Sequence, residues 1–290
     1  MYPTNFAYAA PTSLADVIAQ MQAAGDDGKL LAGGQSLIPM LKFRLAEPAT
    51  LIDLGRVQEL RGIRVDGNNI VIGAMTPYYQ VLNSGEVQSR CPLLIQTIRQ
   101  VGDPQVRTRG TVGGSLAHAD PAGDLPAAAV ALGAQLLATG ASGNRLYDAS
   151  NFFQDVMTTA LEPSEVLTSV SFPATDSPGT GTAYLKHRHP ASGYAVVGVA
   201  AIVTVGADGN CQSARIGITG AGSHATRATA TEQALAGRPL DAQSVAAACA
   251  NAASGVDLMG DSYASSDFRA HLVQVLAQRA IMQAAQNARR

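Results

Sequence analysis

Two short glycine-bearing motifs constrain this chain more than any other feature: Ala32-Gly33-Gly34-Gln35-Ser36 and Thr111-Val112-Gly113-Gly114-Ser115. Each sits beside a stretch that reads as extended chain, and each pairs adjacent glycines with a small hydroxyl residue. Glycine lacks the Cβ that would hold a ligand off the backbone, and it can take up positive φ. Successive N–H groups can then converge into an anion-binding nest, to which Ser and Thr hydroxyls add donors. One motif of this kind is a common tight turn. Two of them, both within the first 120 residues, point to a ligand with an extended diphosphate.

The usual phosphate fingerprints are missing. No G-x-x-x-x-G-K-[ST] run occurs, which argues against a Walker-type site, and no G-x-G-x-x-G opens a helix as in the Rossmann motif. A net charge of −2 gives no electrostatic reason to expect nucleic acid. No run approaches the roughly 20 apolar residues of a membrane span. The first residues, Met1 to Phe6, have neither a basic nor an apolar leader, so a cytoplasmic location is expected. Cys91, Cys211 and Cys249 are far apart and form no C-x-x-C, so the chain has no four-cysteine iron–sulfur site of its own. Three reduced cysteines fit a reducing compartment. His118 has no partner pattern for a metal or a catalytic triad and reads as a loop residue lining a cleft. With 47% hydrophobic and only 14% charged residues, part of the surface is expected to lie under other subunits.

At 290 residues, two cores of ordinary size are favoured over one. Leu14, Val17, Ile18 and Met21 keep helical spacing, with Ser13 and Asp16 as a capping start and Gly25 as a stop. Lys29–Ala32 and Leu51–Asp53 read as strands, the first delivering the first glycine motif. Arg61–Val65 and Asn69–Gly73 flank the hairpin signal Asp66-Gly67-Asn68. Helices are expected from Pro77 towards Asn83, from about Leu93 to Val101, and over Leu125–Leu132. Ala134–Thr139 and Arg145–Tyr147 read as a strand pair around Gly140. The stretch from Pro173 to Gly181 is rich in turn formers and marks a boundary. Beyond it come strand patterns at Tyr184–Lys186, Ala195–Val205 and Ala214–Thr219. Alanine-rich helical patterns then follow at Thr229–Ala236, Ala242–Ala253 and Phe268–Ala285. Consecutive antiparallel strands followed by consecutive helices give an α+β texture.

The flanks of both motifs resemble a known family. Leu30 to Pro39 is similar to the first FAD-binding segment of the flavoprotein subunits of molybdenum hydroxylases, the xanthine dehydrogenase and carbon monoxide dehydrogenase flavoprotein family. Val101 to Arg107 and Thr111 to Pro126 resemble the second segment, and the likeness continues through Leu51–Leu54, Glu165–Leu167 and Tyr184–Lys186. The resemblance implies a two-lobed vanillyl-alcohol-oxidase-like (PCMH-type) FAD-binding domain over residues 1–176. It further implies a small antiparallel-sheet-plus-helices domain over 178–287, similar to the carbon monoxide dehydrogenase flavoprotein C-terminal domain.

The same resemblance assigns site residues. Ala32, Gly33, Gly34, Gln35 and Ser36 would offer backbone and hydroxyl donors to the FAD diphosphate, with Leu37 and Ile38 continuing the segment; a plain strand-to-helix turn is the alternative. Gln35 stands where some members carry His. Val101, Thr111, Val112, Gly113, Gly114 and Ser115 form the second set, flanked by Arg107 and Arg109. Asp124 maps onto an aspartate that bonds the ribityl chain, or else caps the helix at Leu125-Pro126; Asp120 is a further contact. Lys186 corresponds to a lysine at the isoalloxazine carbonyl edge, Leu167 to a residue whose backbone borders the flavin, and Tyr194 to an aromatic over one flavin face. No Cys or His is placed as a covalent anchor, so FAD is expected to be non-covalent. The implied function is that of an electron-transfer medium subunit in a heterotrimer. A large partner would carry molybdopterin and a small partner two 2Fe–2S clusters, the whole a dimer of heterotrimers passing electrons to an external acceptor. A self-sufficient flavin oxidase or reductase of the same superfamily, and a non-catalytic FAD- or nucleotide-sensing module, are the competing readings.

Overall fold

In the computed structural model, which describes residues 2–289, local sequence signals act where expected at the N-terminal end. The Leu14–Ala24 helix buries Val17 and Met21 on one face; the Ser13 side chain accepts from Asp16 N at its start, and Gly25 at φ +55° ends it. The helix covers a three-stranded parallel sheet ordered Ala7–Ala9, Thr50–Asp53, Gly28–Leu31. The last of these strands runs directly into the first glycine motif.

A second sheet has five antiparallel strands, ordered Ile63–Asp66, Asn69–Gly73, Val166–Pro173, Gln135–Gly140 and Gly143–Asp148. Val166–Pro173 lies at its centre although sequence patterning alone did not mark it as a strand; its alternation is interrupted by a bulge between Leu167 and Ser169. Short helices pack on this sheet. Among them, the Asp124–Leu132 helix is buried along its whole length, so no amphipathic stripe is present for a periodicity argument to find.

The C-terminal sheet is antiparallel, ordered Thr180–Arg188, Ala195–Val205, Cys211–Thr219, Thr226–Arg227. Its strand Ala195–Val205 is apolar on both faces, and the two-residue repeat of a strand divides those faces between two cores. Ala200 and Ile202, with Tyr184 from the neighbouring strand, join the core of the N-terminal part. Val197, Val199, Ala201 and Val203 join the core made with the Thr229–Leu235, Ala242–Cys249 and Ser266–Ala288 helices. The sheet is thus sandwiched, with the Asp124–Leu132 and Pro92–Ile98 helices against one face and Ser266–Ala288 against the other. At about 1.5–3 kcal/mol for each fully buried Val, Leu or Ile, this double burial makes the sheet the main cement between the two parts.

One expectation fails locally. The second glycine motif does not follow extended chain: a Pro104–Arg109 helix precedes it, and the motif itself opens the Val112–His118 helix.

Candidate cofactor site

The first motif is an open backbone turn. Gly34 sits at φ +75°, a conformation that L side chains rarely adopt, and bends the chain off its strand. Ile38 N donates to Gly34 O at 3.1 Å and starts the Leu37–Lys42 helix. Between these points the N–H groups of Gly33, Gly34, Gln35 and Ser36 find no acceptor among the described residues. Backbone donors rarely go unmatched unless water or a ligand takes them, and a run of four is the form of an anion-binding nest.

The second motif is closed. Val112 N donates to Thr76 O (3.1 Å), Gly113 N to Ala74 O (2.8 Å), Gly114 N to Thr111 Oγ1 (3.1 Å) and Ser115 N to Thr111 O (3.1 Å). Thr111 is the helix cap, and a Cβ on Gly113 would strike Ala74, lying 2.7 Å from its Cα. These glycines therefore serve close chain packing. The two motifs meet: a Cβ on Gly33 would run into the Arg109 carbonyl and stand 2.9 Å from Gly110 Cα, and one on Gly114 would stand 3.2 Å from Ala32 Cβ. The first motif is thus the one with open donors, and the second stands against it as an opposite wall.

After the Val112–His118 helix, Ala119 at φ +50° reverses the chain, and Asp120 Oδ1 accepts from Ala122 N at 2.8 Å. The C-terminal sheet then grips the following residues. Gly220 N donates to Pro121 O (2.8 Å), Thr219 Oγ1 to Pro121 O and Gly123 O (2.8 Å each), and Ala195 N to Ala122 O (3.2 Å). Asp124 emerges as the first residue of its helix, not as the cap; Gly123 holds the cap position with no side-chain bond. The carboxylate turns towards the C-terminal sheet. It accepts from Tyr184 Oη at 2.6 Å and from Lys186 Nζ at 2.9 Å, and the same ammonium donates to Gln100 O at 2.8 Å. With side-chain exposures of 1% for Lys186 and 5% for Asp124, this is a buried ion pair and not a surface contact. Burial pushes the Asp124 carboxyl above its ordinary range against the pull of Lys186, and pushes the Lys186 ammonium down against the pull of Asp124.

The remaining residues gather around this pair unequally. Tyr194, 40% exposed, comes from a turn closed by His189 N to Tyr194 O (2.8 Å). Its phenol is raised by burial first and then by the Asp120 carboxylate, with Ser36 of the first motif close enough to oppose the rise. Half-buried Leu37 follows Ser36, the last residue of the nest, and Ile38 is exposed. Val101 packs partly buried on the main core, its carbonyl taken by Arg107 Nη1 at 2.8 Å. Leu167 is buried in that core beside the strand bulge. His118 is held neutral-leaning by burial, and no group of three metal-ligating side chains exists among the described residues.

Three residues of this cluster were not singled out from sequence. Tyr78, buried, lies near Ser115, Asp124 and Tyr194; burial raises its phenol far above the usual value. Gln100 contributes only a carbonyl, which no residue type announces. Tyr184 did have a signal, since residues two apart on a strand share a face, so Tyr184 and Lys186 must point the same way.

Residues 4–175 match the family model described as the FAD binding domain in molybdopterin dehydrogenase, and residues 182–284 match the CO dehydrogenase flavoprotein C-terminal domain. The chain belongs to the FAD-binding medium subunits of the molybdenum hydroxylases. This medium subunit is 39% identical to the carbon monoxide dehydrogenase medium chain of Hydrogenophaga pseudoflava, covering 97% of each chain. It is 34% identical to the 6-hydroxypseudooxynicotine dehydrogenase complex subunit alpha of Paenarthrobacter nicotinovorans, covering 100% of this chain and 97% of the relative. Among solved structures, the Hydrogenophaga pseudoflava carbon monoxide dehydrogenase chain superposes with a TM-score of 0.95 at 38% identity over 99% of each chain. The quinoline 2-oxidoreductase of Pseudomonas putida 86 gives 0.93 at 34% identity, again over 99% of each. The α+β fold, with an FAD-binding domain and an antiparallel-sheet C-terminal domain, stands on these matches, as does the role of an FAD-bearing electron-transfer subunit in an oxidoreductase complex.

Proposed function

We propose that this medium subunit binds FAD non-covalently, with the diphosphate on the open N–H groups of Gly33, Gly34, Gln35 and Ser36 and the flavin end towards Asp120, Asp124, Lys186 and Tyr194. The observation that carries this reading is the run of four acceptorless N–H groups faced by the second motif. FAD supplies the ability to take up electrons one at a time and give them up in pairs. On this reading Ala32, Thr111, Val112, Gly113, Gly114 and Ser115 shape the walls, and Leu37, Ile38, Val101 and Leu167 support them through their backbones. Lys186 keeps a positive charge, balanced by Asp124, at the flavin end.

The proposed assembly is a heterotrimer with a small 2Fe–2S subunit and a large molybdopterin subunit, two of which form the working complex in the cytoplasm. Domains of 1–176 and 178–287 would then provide the nest and its flavin-end closure. Relatives named for carbon monoxide and for 6-hydroxypseudooxynicotine match this chain at 39% and 34% identity, so overall likeness does not separate their substrates. That supports substrate oxidation on the molybdopterin partner, away from this polypeptide.

Titration of the cofactor-stripped chain with FAD, FMN and ADP tests the site. A diphosphate nest requires FAD to bind much more tightly than FMN, with ADP retaining measurable affinity; equal binding of FAD and FMN would defeat the proposal.

A further inference from the structure

Tyr184 is a buried phenol to which the proposed FAD contacts assign no role. It is 4% exposed, and its hydroxyl lies over Gly198, the cross-strand partner of Lys186, where a Cβ would collide with it. The neighbouring strand thus leaves a slot that fits this hydroxyl. From it Oη donates to Asp124 Oδ1 at 2.6 Å, while Lys186 Nζ stands 2.9 Å from the same carboxylate. Burial and the adjoining carboxylate raise the phenol well above its ordinary value, so at neutral pH it stays a donor.

We infer that Tyr184 is a positioning residue for the flavin end of the site: acting through Asp124, it orients the carboxylate so that the acceptor direction left free on Oδ2 faces the ribityl hydroxyls. The inference rests on the FAD reading. An ionised carboxylate offers about four acceptor directions. Lys186 Nζ stands 2.9 Å from both oxygens and Tyr184 Oη takes a second direction on Oδ1, which leaves one direction on Oδ2 for a ligand hydroxyl. Without the phenol, only the long and rotatable lysine stem would restrain the carboxylate. The backbone of Pro121–Gly123 is already clamped by Thr219, Gly220 and Ala195. Side-chain rotation is therefore the freedom that remains to Asp124, and Tyr184 removes it.

The test compares FAD with ADP on the full-length chain, because ADP reaches the nest but lacks the ribityl chain and the flavin. Tyr184→Phe keeps the ring and loses the hydroxyl. It should weaken FAD about tenfold, the scale of one hydrogen bond to a charged group, and leave ADP affinity unchanged. Asp124→Asn, of nearly identical shape, should shift the same FAD-to-ADP ratio in the same direction. The double variant should lose little more than Asp124→Asn alone, since Tyr184 acts through Asp124. Equal losses for FAD and ADP, or unchanged FAD affinity in Tyr184→Phe, would overturn the assignment and leave the FAD reading standing. Failure of the wild-type chain to bind FAD would overturn both.

Discussion

In Ala32–Ser36 four successive N–H groups find no acceptor among the described residues, whereas in Thr111–Ser115 every N–H from Val112 to Ser115 is already bonded within the chain. Both motifs carry a glycine pair and a hydroxyl, so their sequences look equivalent. In the first, Gly34 is needed for its positive φ and the turn leaves donors exposed. In the second, Gly113 is needed because the helix presses on Ala74. A glycine pair reports that a Cβ is not tolerated. It does not report whether a ligand or another segment of chain takes its place.

The widest separation between the motifs should come from Gly113→Val. Packing a branched side chain against the Ala74 backbone costs about 1–3 kcal/mol or more, and the loss should appear in the thermal midpoint of the cofactor-free chain. An unchanged midpoint would remove the distinction. Gly34→Ala should behave in the opposite way. Holding a left-handed residue costs roughly 1 kcal/mol, so stability falls modestly, while reorientation of the nest should weaken FAD about tenfold, a 1.4 kcal/mol change. A stability loss with no change in FAD affinity would make the first motif a structural turn like the second.

The smallest expected effect concerns His118, in the last turn of the second motif's helix. Burial holds its folded pKa below the unfolded value of about 6.5. The folded chain therefore binds fewer protons than the unfolded chain once pH drops through that value. His118 costs nothing at pH 7.5, and stability is lost as pH falls below about 6.5 towards the folded pKa. Urea midpoints at pH 7.5 and 5.5 should differ less in His118→Gln than in wild type; an equal difference would show that the helix end is open to solvent.

Much of the fold was legible. The Ser13-capped helix, the Asp66-Gly67-Asn68 hairpin and the Ala195–Val205 strand stand where their patterns place them, because caps, tight turns and long apolar strands are local and strong signals. The Val112–His118 helix was illegible, since glycine is among the poorest helix formers. It forms because Thr76 O and Ala74 O take its first donors. The Val166–Pro173 strand was also obscure, its period broken by the Leu167–Ser169 bulge. At the site, residue type and family likeness drew attention to Asp124 and Lys186, but not to the fact that they neutralise one another.

Sequence by itself determined the α+β class, the two glycine motifs and the family to which they belong, because each is encoded over a few neighbouring residues. Only the tertiary structure decided which motif keeps its donors open, and that Asp124, Tyr184, Lys186 and the Gln100 carbonyl form one buried cluster. The bonds that join them span 60 or more residues. Their bonds exist because the C-terminal sheet docks on the Asp124–Leu132 helix and excludes water from the space between them.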